Sequence, residues 1–342
     1  MALHWSWSFG NEDLTALAAM GWTPSNSAHL TLTSATDEVY TYTSSPTRYG
    51  WIFKGFVATL KLPAAALAGL SEGWLSAPWK STVGSGYTNN SNVLRVDGTS
   101  GEGIYCVLTA TGALSLYVSN TFQETSDAID WTSWRYVALR FDFSANPWSG
   151  QVYVDGSAVT ALATQADAAE TAADVTIGPG PGVVNQPTAL CSQVILWSST
   201  SDAGETAYFA TRAEPTSDGT DVGTWTPSTG ANNYAVVDSP FDASTYTQEA
   251  SPSASDRCEV VTSSLATALG VTPSSVVGAS AHTYSEGQSL TARAIVGPSG
   301  GTETAGDNTA ISASDTTYAF ATSTAALTGA STLDLVYEVV ST

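Results

Sequence analysis

The chain has 342 residues and a net charge of −21, with 10 lysines and arginines against 31 acidic residues. Nucleic-acid binding needs basic clusters that neutralise phosphates, so this balance argues against it and against an anionic membrane surface. Hydrophobic residues make up 43% of the sequence and charged residues only 12%, and the abundance of Thr, Ser, Trp and Tyr favours antiparallel sheets over helices.

The first sixty residues predict short strands and one short helix. Residues 4–9 alternate apolar and polar side chains as an edge strand does, and residues 12–20 suit one or two helical turns. Further strands are predicted over 28–33, 38–43 and 51–60. No basic segment followed by an apolar one opens the chain and no window is apolar for 18 residues, so we expect neither a secretory signal nor a membrane span.

Residues 62–90 are rich in glycine and proline and predict a long loop. Trp74, Trp79 and Tyr87 fall inside it, and Trp148 falls in a later predicted loop. Exposed aromatic residues on loops are common at binding sites, so these four are candidates for glycan contact or for a protein interface. The alternative is that Trp74 and Trp79 pack beneath the loop.

Three short strands are predicted next, over 93–97, 103–109 and 113–118, with turns at Asp97-Gly98 and Thr111-Gly112. They precede the segment that is most informative about the fold.

The segment 134–156 predicts a β-hairpin. Apolar and mixed side chains alternate over 136–143, Asn146-Pro147 ends that strand, and residues 151–154 lead into the turn signal Asp155-Gly156. A tryptophan before a strand, followed by a strand ending Tyr-Val-Asp-Gly, resembles the central hairpin of the laminin-G/concanavalin-A-like jelly-roll superfamily.

Later segments extend this resemblance to about residues 25–213. A short strand ends at Ile177-Gly178, a strand follows over 191–197, and a short helix is expected over 201–212 with Ser201 as its N-cap. The resemblance implies a jelly roll. Relatives of this kind often bind calcium at a loop rim, for which Asp97 and Asp202 are weak candidates. Solvated turn aspartates are the alternative, and no metal or cofactor is predicted.

The C-terminal part predicts a linker over 214–230 and a second β-sandwich over 231–342. Its candidate strands are residues 234–237, 257–262, 277–284, 290–296, 316–322 and 333–339. The segment 232–247 is similar to one that opens a C-terminal jelly roll in many structural proteins of tailed phages. That resemblance implies a component of a virus particle.

Catalytic motifs are lacking in the sequence. The histidines, His4, His29 and His282, lie in no motif, and Gly-x-Ser-x-Gly at 69–73 and 297–301 falls in predicted loops rather than between a strand and a helix. Glycosidases of the jelly-roll type usually carry a Glu-x-Asp-x-x-Glu strand, which does not occur. We therefore expect no enzymatic activity.

The cysteines predict neither a zinc site nor a disulfide framework, because Cys106, Cys191 and Cys258 are odd in number and widely spaced. Buried free thiols are the expected state, and a Cys106–Cys191 bridge is the alternative.

These observations lead to one hypothesis. We expect an all-β chain of two antiparallel sandwiches, residues 1–213 and 231–342, that serves as a non-enzymatic structural protein of a bacteriophage particle. Capsid decoration, head or tail fibre, spike and tail tip are all open. The protein would be made in the host cytoplasm and reside on the virion. Its partners would be other virion proteins and copies of itself, with a trimer typical of such proteins, and a host-surface glycan is a further ligand. The alternative is a stand-alone carbohydrate-binding lectin module.

Overall fold

Antiparallel β-sheet dominates the computed structural model of this chain, as the composition predicts. The described residues are 3–8, 14–19, 22–25, 27–33, 41–42, 45–46, 50–53, 58–62, 67, 69–81, 91–178, 189–201, 204–205, 215–220, 223–237, 247–262, 279–284, 289–306, 308–311, 316–321 and 332–341. They divide into two units, residues 1–211 and 212–342. Within the described part, no helix is long and apolar enough to cross a membrane.

The first unit is built from short strands, with a helix α1 at Leu14–Ala19 and a 3-10 turn at Ser27–His29. Its strands are β1 Leu3–Ser8, β2 Thr23–Ser25, β3 Leu30–Thr33, β4 Thr41–Tyr42, β5 Ser45–Pro46, β6 Gly50–Phe53, β7 Thr59–Lys61, β8 Glu72–Ser81, β9 Ser91–Gly98, β10 Gly103–Leu108, β11 Ala113–Val118, β12 Thr121–Ala128, β13 Arg135–Asp142, β14 Trp148–Val154, β15 Ser157–Ala158, β16 Ala163–Gln165, β17 Ala172–Ile177, β18 Ala189–Cys191 and β19 Gln193–Trp197.

These strands form two large sheets. The first sheet has the order β15-β14-β13-β8-β18-β6-β3, with β19 joining β8 to β1 and β16 pairing with β14. The second sheet has the order β12-β11-β10-β9-β17-β7-β2. The predicted hairpin is confirmed: β13 pairs with β14 from Val137–Val154 to Asp142–Ser149. Asp155 and Gly156 adopt φ values of 51° and 80°, as the turn that follows requires.

The two sheets pack against each other as a sandwich. A Cβ placed on Gly150 of β14 would lie 2.7 Å from Ile104 Cγ2 and 3.2 Å from Val118 Cγ2, so this strand lies directly on β10 and β11. Apolar side chains alternate toward the interface between the sheets, as in other sandwiches. Fully buried examples are Leu75, Leu94, Val96, Leu114, Leu116, Val137, Leu139, Phe141, Val152 and Val175.

The loop predicted over 62–90 is wrong in its centre, where residues 72–81 form β8. This strand lies between β13 on one side and β18 and β19 on the other. Its Gly73 and Pro78 suggested a break, but Gly73 is required for packing, because a Cβ there would overlap the carbonyl oxygen of Trp197. Residues 82–90 lie outside the described residues.

The second unit also forms antiparallel sheets. Its strands are β20 Pro215–Asp218, β21 Thr226–Pro227, β22 Thr247–Gln248, β23 Arg257–Thr262, β24 Ala279–Tyr284, β25 Leu290–Pro298, β26 Thr304–Ala305, β27 Thr309–Ile311, β28 Thr316–Ala321 and β29 Leu333–Ser341. The main sheet has the order β20-β23-β29-β25-β26, with β27 also on β25, and β21-β22 and β24-β28 form two smaller pairs.

Two predictions for this unit are wrong. The predicted linker contributes β20, whose Ser217 and Asp218 pair with Val261 and Val260 of β23. The predicted strand at 234–237 is a short helix, α2 Tyr234–Val237. The carboxylate of Asp218 accepts hydrogen bonds from the backbone N–H groups at 233 and 234, at 3.1 and 2.6 Å, and thereby caps the first turn.

The three cysteines are free and buried, so the Cys106–Cys191 bridge that was left open does not occur. Burial raises the pKa of the Cys106 and Cys191 thiols to about 12 and that of Cys258 to about 11. All three are therefore protonated at neutral pH, which suits structural rather than nucleophilic residues.

Candidate binding surface

Three of the four predicted binding aromatics are core residues. Trp74 and Trp79 are 3% exposed and lie in a strand rather than a loop, and Trp148 is fully buried at the start of β14. The location predicted for them is therefore wrong, and none of the three offers a ring face to a ligand in this structure. Tyr87 lies outside the described residues.

Trp74 belongs to a small apolar cluster on the side of the first sheet that faces away from the second. Its indole makes an edge-to-face contact with Tyr153, with ring centroids 5.0 Å apart, and Gly204 lies directly against it. Tyr136, Ala138, Ile195 and Trp197 complete the cluster.

Trp148 is held by a hydrogen bond as well as by ring packing. Its Nε1 donates a hydrogen bond to the carbonyl oxygen of Ala168 at 2.7 Å, and Phe143 packs edge-to-face on its ring at 4.7 Å. A buried indole whose N–H is satisfied by backbone is a structural element of the core.

The outer face of the second sheet carries a different set of aromatic residues. Arg95 of β9 is in register with Tyr105 of β10, Tyr105 with Tyr117 of β11, and Tyr117 with Phe122 of β12. Residues directly opposite each other in an antiparallel pair share one face, so these four side chains form a continuous line across four strands. We call it the aromatic row.

The rings of this row stand upright on the sheet. The centroids of Tyr105 and Tyr117 are 4.8 Å apart with 6° between the ring planes, and that distance equals the spacing of neighbouring strands, about 4.8 Å. Phe122 meets Tyr117 edge-to-face at 5.7 Å. Phe122 is 53% exposed, so its ring is open to solvent at this end of the row.

Arg95 closes the other end of the row. Its guanidinium carbon lies 4.4 Å from the centre of the Tyr105 ring, a cation–π contact, and its Nε donates to both carboxylate oxygens of Asp97 at 2.7 and 2.9 Å. Burial acts to lower the pKa of Arg95, but the hydrogen bond and charge of Asp97 outweigh it and the pKa is raised. Burial also raises the pKa of Tyr105, whose hydroxyl is therefore protonated at neutral pH.

The calcium candidates gain no support from this geometry. Both oxygens of Asp97 face a guanidinium, which occupies the positions that a cation would need, and Asp202 lies outside the described residues. Within the described ranges, no three His, Cys, Asp or Glu side chains are grouped so that they could hold a metal ion.

Two carboxylates meet at the turn beside the row. The hydroxyl of Ser119 donates to Asp167 at 2.7 Å and also lies in hydrogen-bond contact with Glu102. Asp167 is half-buried, and its pKa is lowered by the hydrogen bonds from Ser119 and from the backbone of Ala168. A glycosidase acid needs a raised pKa, so Asp167 lacks that property.

The alternation of inward and outward residues along β10 indicates part of the aromatic row, which the residue types alone do not. In β10, Ile104, Cys106 and Leu108 alternate with Tyr105, so the tyrosine is directed outward once the strand is recognised. Its alignment with Tyr117 depends on the turn between the two strands. The partner β12 was missed because its polar, exposed sequence lacks apolar alternation.

Comparison with known proteins gives distant similarities only. No protein-family model and no curated protein sequence matches this chain. A Trypanosoma rangeli sialidase in complex with difluorosialic acid aligns over 46% of this chain and 26% of its own, with 17% identity and a TM-score of 0.36. The binding domain of botulinum neurotoxin serotype G aligns over 59% and 49%, with 11% identity and a TM-score of 0.39.

A third solved structure is the CBM40 domain of the Ruminococcus gnavus IT-sialidase, bound to α2,3-sialyllactose. It aligns over 40% of this chain and 80% of its own, with 16% identity and a TM-score of 0.29. This chain thus spans about a quarter of the sialidase and half of the neurotoxin domain. With TM-scores of this size, the similarities carry no conclusion about ligand or activity.

Proposed function

We propose that this chain is a non-enzymatic binding protein whose first unit contacts carbohydrate through the aromatic row. One observation carries the proposal: Phe122 is 53% exposed at the end of an ordered row of rings. A single exposed apolar residue is ordinary on a protein surface, whereas a contiguous set of aromatic side chains rimmed by polar groups is typical of a binding surface, and Phe122 ends such a set.

The chemistry of the row suits a sugar. A pyranose presents an apolar face of C–H groups and a rim of hydroxyls, and Phe122 supplies an apolar ring while the Tyr105 and Tyr117 hydroxyls supply donors and acceptors. The rings are held by contacts with one another, so little side-chain entropy is lost on binding.

Absence of catalysis fits the titratable groups beside the row. The thiol of Cys106, on the inner side of the same strand, is protonated and buried, and the Glu102–Asp167 pair includes a carboxyl with a lowered pKa. Neither the Cys106 thiol nor the Asp167 carboxyl has the activated state that a nucleophile or general acid requires.

The biological setting that we propose is the particle of a tailed phage, where the chain would contact other virion proteins and copies of itself. The similarity of residues 232–247 to phage structural proteins supports this setting. The second candidate is a stand-alone lectin, which the same exposed surface supports because a single copy of the chain already carries the whole row.

Substitution of Phe122 tests the binding surface. Covering about 60 Å² of ring at roughly 25 cal/mol per Å² contributes about 1.5 kcal/mol, so Phe122→Ala should raise Kd about tenfold. Leu162→Ala is the matched control, because Leu162 is also a large exposed apolar side chain, at 51%, but lies outside the row. Binding of the purified chain to an array of oligosaccharides, followed by calorimetry, gives the readout; equal effects of both substitutions would reject the surface.

The two settings differ in assembly. Light scattering of the purified chain, with and without EDTA, should give a trimer indifferent to EDTA if the protein is part of a particle. A monomer whose melting temperature falls in EDTA would favour a calcium-dependent lectin instead.

A further inference from the structure

We infer that the ligand of the aromatic row is a neutral oligosaccharide and that the surface discriminates against acidic glycans such as sialylated or uronic-acid-containing ones. This inference rests on the proposed function and adds the class of sugar. It follows from the charges around the row.

Arg95, the cation of the row, is already neutralised. Its Nε donates to both oxygens of Asp97, and one Nη lies 2.6 Å from Asp97 Oδ1. A glycan carboxylate would therefore meet a guanidinium whose charge is already balanced, and it would bring a second anion close to Asp97.

Two carboxylates lie beside the row, at the turn that follows β11. Ser119 follows Tyr117 by two residues, and a strand rises about 3.3 Å per residue, so the two carboxylates that Ser119 contacts lie within roughly 10 Å of Tyr117. These are Glu102 and Asp167. Asp167 is ionised at neutral pH, since its pKa is lowered.

The expected size of the discrimination follows from Coulomb's law. A singly charged glycan bound at Tyr117 would lie about 10 Å from each of these two carboxylates. In water the two repulsions together weaken its binding about fourfold. The effect should disappear in 0.5 M salt, where the screening length falls to about 4 Å.

The experiment compares neutral oligosaccharides with their acidic counterparts on the full chain. An array carries each neutral glycan beside its sialylated or uronic-acid derivative, and the tightest pair is then measured by calorimetry in 20 mM and 0.5 M salt. We expect the neutral member to bind about fourfold tighter in low salt only.

Three variants locate the cause. The double variant Glu102→Gln, Asp167→Asn should abolish the preference, whereas Asp130→Asn, which removes an exposed carboxylate beyond the far end of β12, should preserve it. Asp97→Asn leaves Arg95 without its counter-charge and should strengthen the binding of the acidic glycan severalfold.

The outcomes separate the two proposals. If neutral glycans bind but their acidic counterparts bind equally or more tightly, the inference is overturned and the proposed function stands. If no saccharide of either kind binds, both are overturned.

Discussion

Replacement of Trp74 by alanine distinguishes a core residue from a binding residue. The side chain is 3% exposed, packs edge-to-face on Tyr153, and lies against Gly204. Truncation of a buried tryptophan costs about 3–5 kcal/mol of unfolding free energy, because apolar contacts are lost and a cavity remains. For a domain of this size, a loss of about 4 kcal/mol lowers the melting temperature by roughly 8–16 °C.

Circular dichroism melting is the appropriate assay, since it does not depend on the fluorophore that is removed. Phe122→Ala is the contrasting variant: half of its side chain is already in solvent, so it should lose at most about 1 kcal/mol while losing glycan affinity. Trp74→Phe should lower the free energy of unfolding by less than the difference in side-chain volume suggests. The Trp74 Nε1 has no hydrogen-bond partner within the described residues, and its removal relieves an unsatisfied donor.

A Trp74→Ala protein that melts within 2 °C of the parent would refute this reasoning. Weak glycan binding by that variant at a temperature where it remains folded would also count against the aromatic row, because it would return the binding role to Trp74.

Two further predictions concern the sandwich and its thiols. Gly150→Ala should destabilise the protein by about 1–3 kcal/mol in urea unfolding, because the added methyl group overpacks against Ile104. Ile104→Ala should therefore cost less stability in the Gly150→Ala variant than in the parent protein. Additive effects of the two substitutions would contradict the contact between β14 and Ile104. Because the pKa values are raised, to about 12 for Cys106 and Cys191 and about 11 for Cys258, the thiols of the native protein should react only slowly with Ellman's reagent at pH 8. Three thiols should react in guanidinium chloride, and a fast native thiol would contradict the burial.

The parts of the fold that could be predicted from sequence are those specified by local residues. The β13–β14 hairpin was recognised because apolar residues alternate along it, and the following turn contains Asp155-Gly156, whose positive φ values suit those residue types. In the second unit, the strands predicted over 257–262 and 333–339 correspond to β23 and β29.

Other parts depended on partners distant in the chain. Gly73 and Pro78 favour a loop locally, but β8 is held by neighbours on both edges, and contacts made across the sheet outweigh the local preference. Similarly, the short helix at 234–237 is capped by Asp218, sixteen residues before the Tyr234 whose N–H it accepts.

The binding surface illustrates the same limit. Three tryptophans were predicted as contact residues because they fall in predicted loops, yet tryptophan is highly buried on average, and Trp148 is covered completely. The exposed row instead requires Tyr105 and Tyr117 to be placed side by side by a turn, which composition does not reveal.

The position of Cys106 beside Tyr105 has a practical consequence for measuring local opening. The two residues are neighbours in β10, with the thiol directed inward and the ring outward, so the thiol reacts only when that strand separates from the sheet. Slow labelling of Cys106 thus follows the opening equilibrium of the strand that carries the surface. A ligand bound to the closed strand should lower the labelling rate in proportion to the fraction of protein left unbound, that is, by a factor of about 1 + [L]/Kd. An affinity could then be obtained from labelling rates alone, without a fluorescent or calorimetric signal from the sugar.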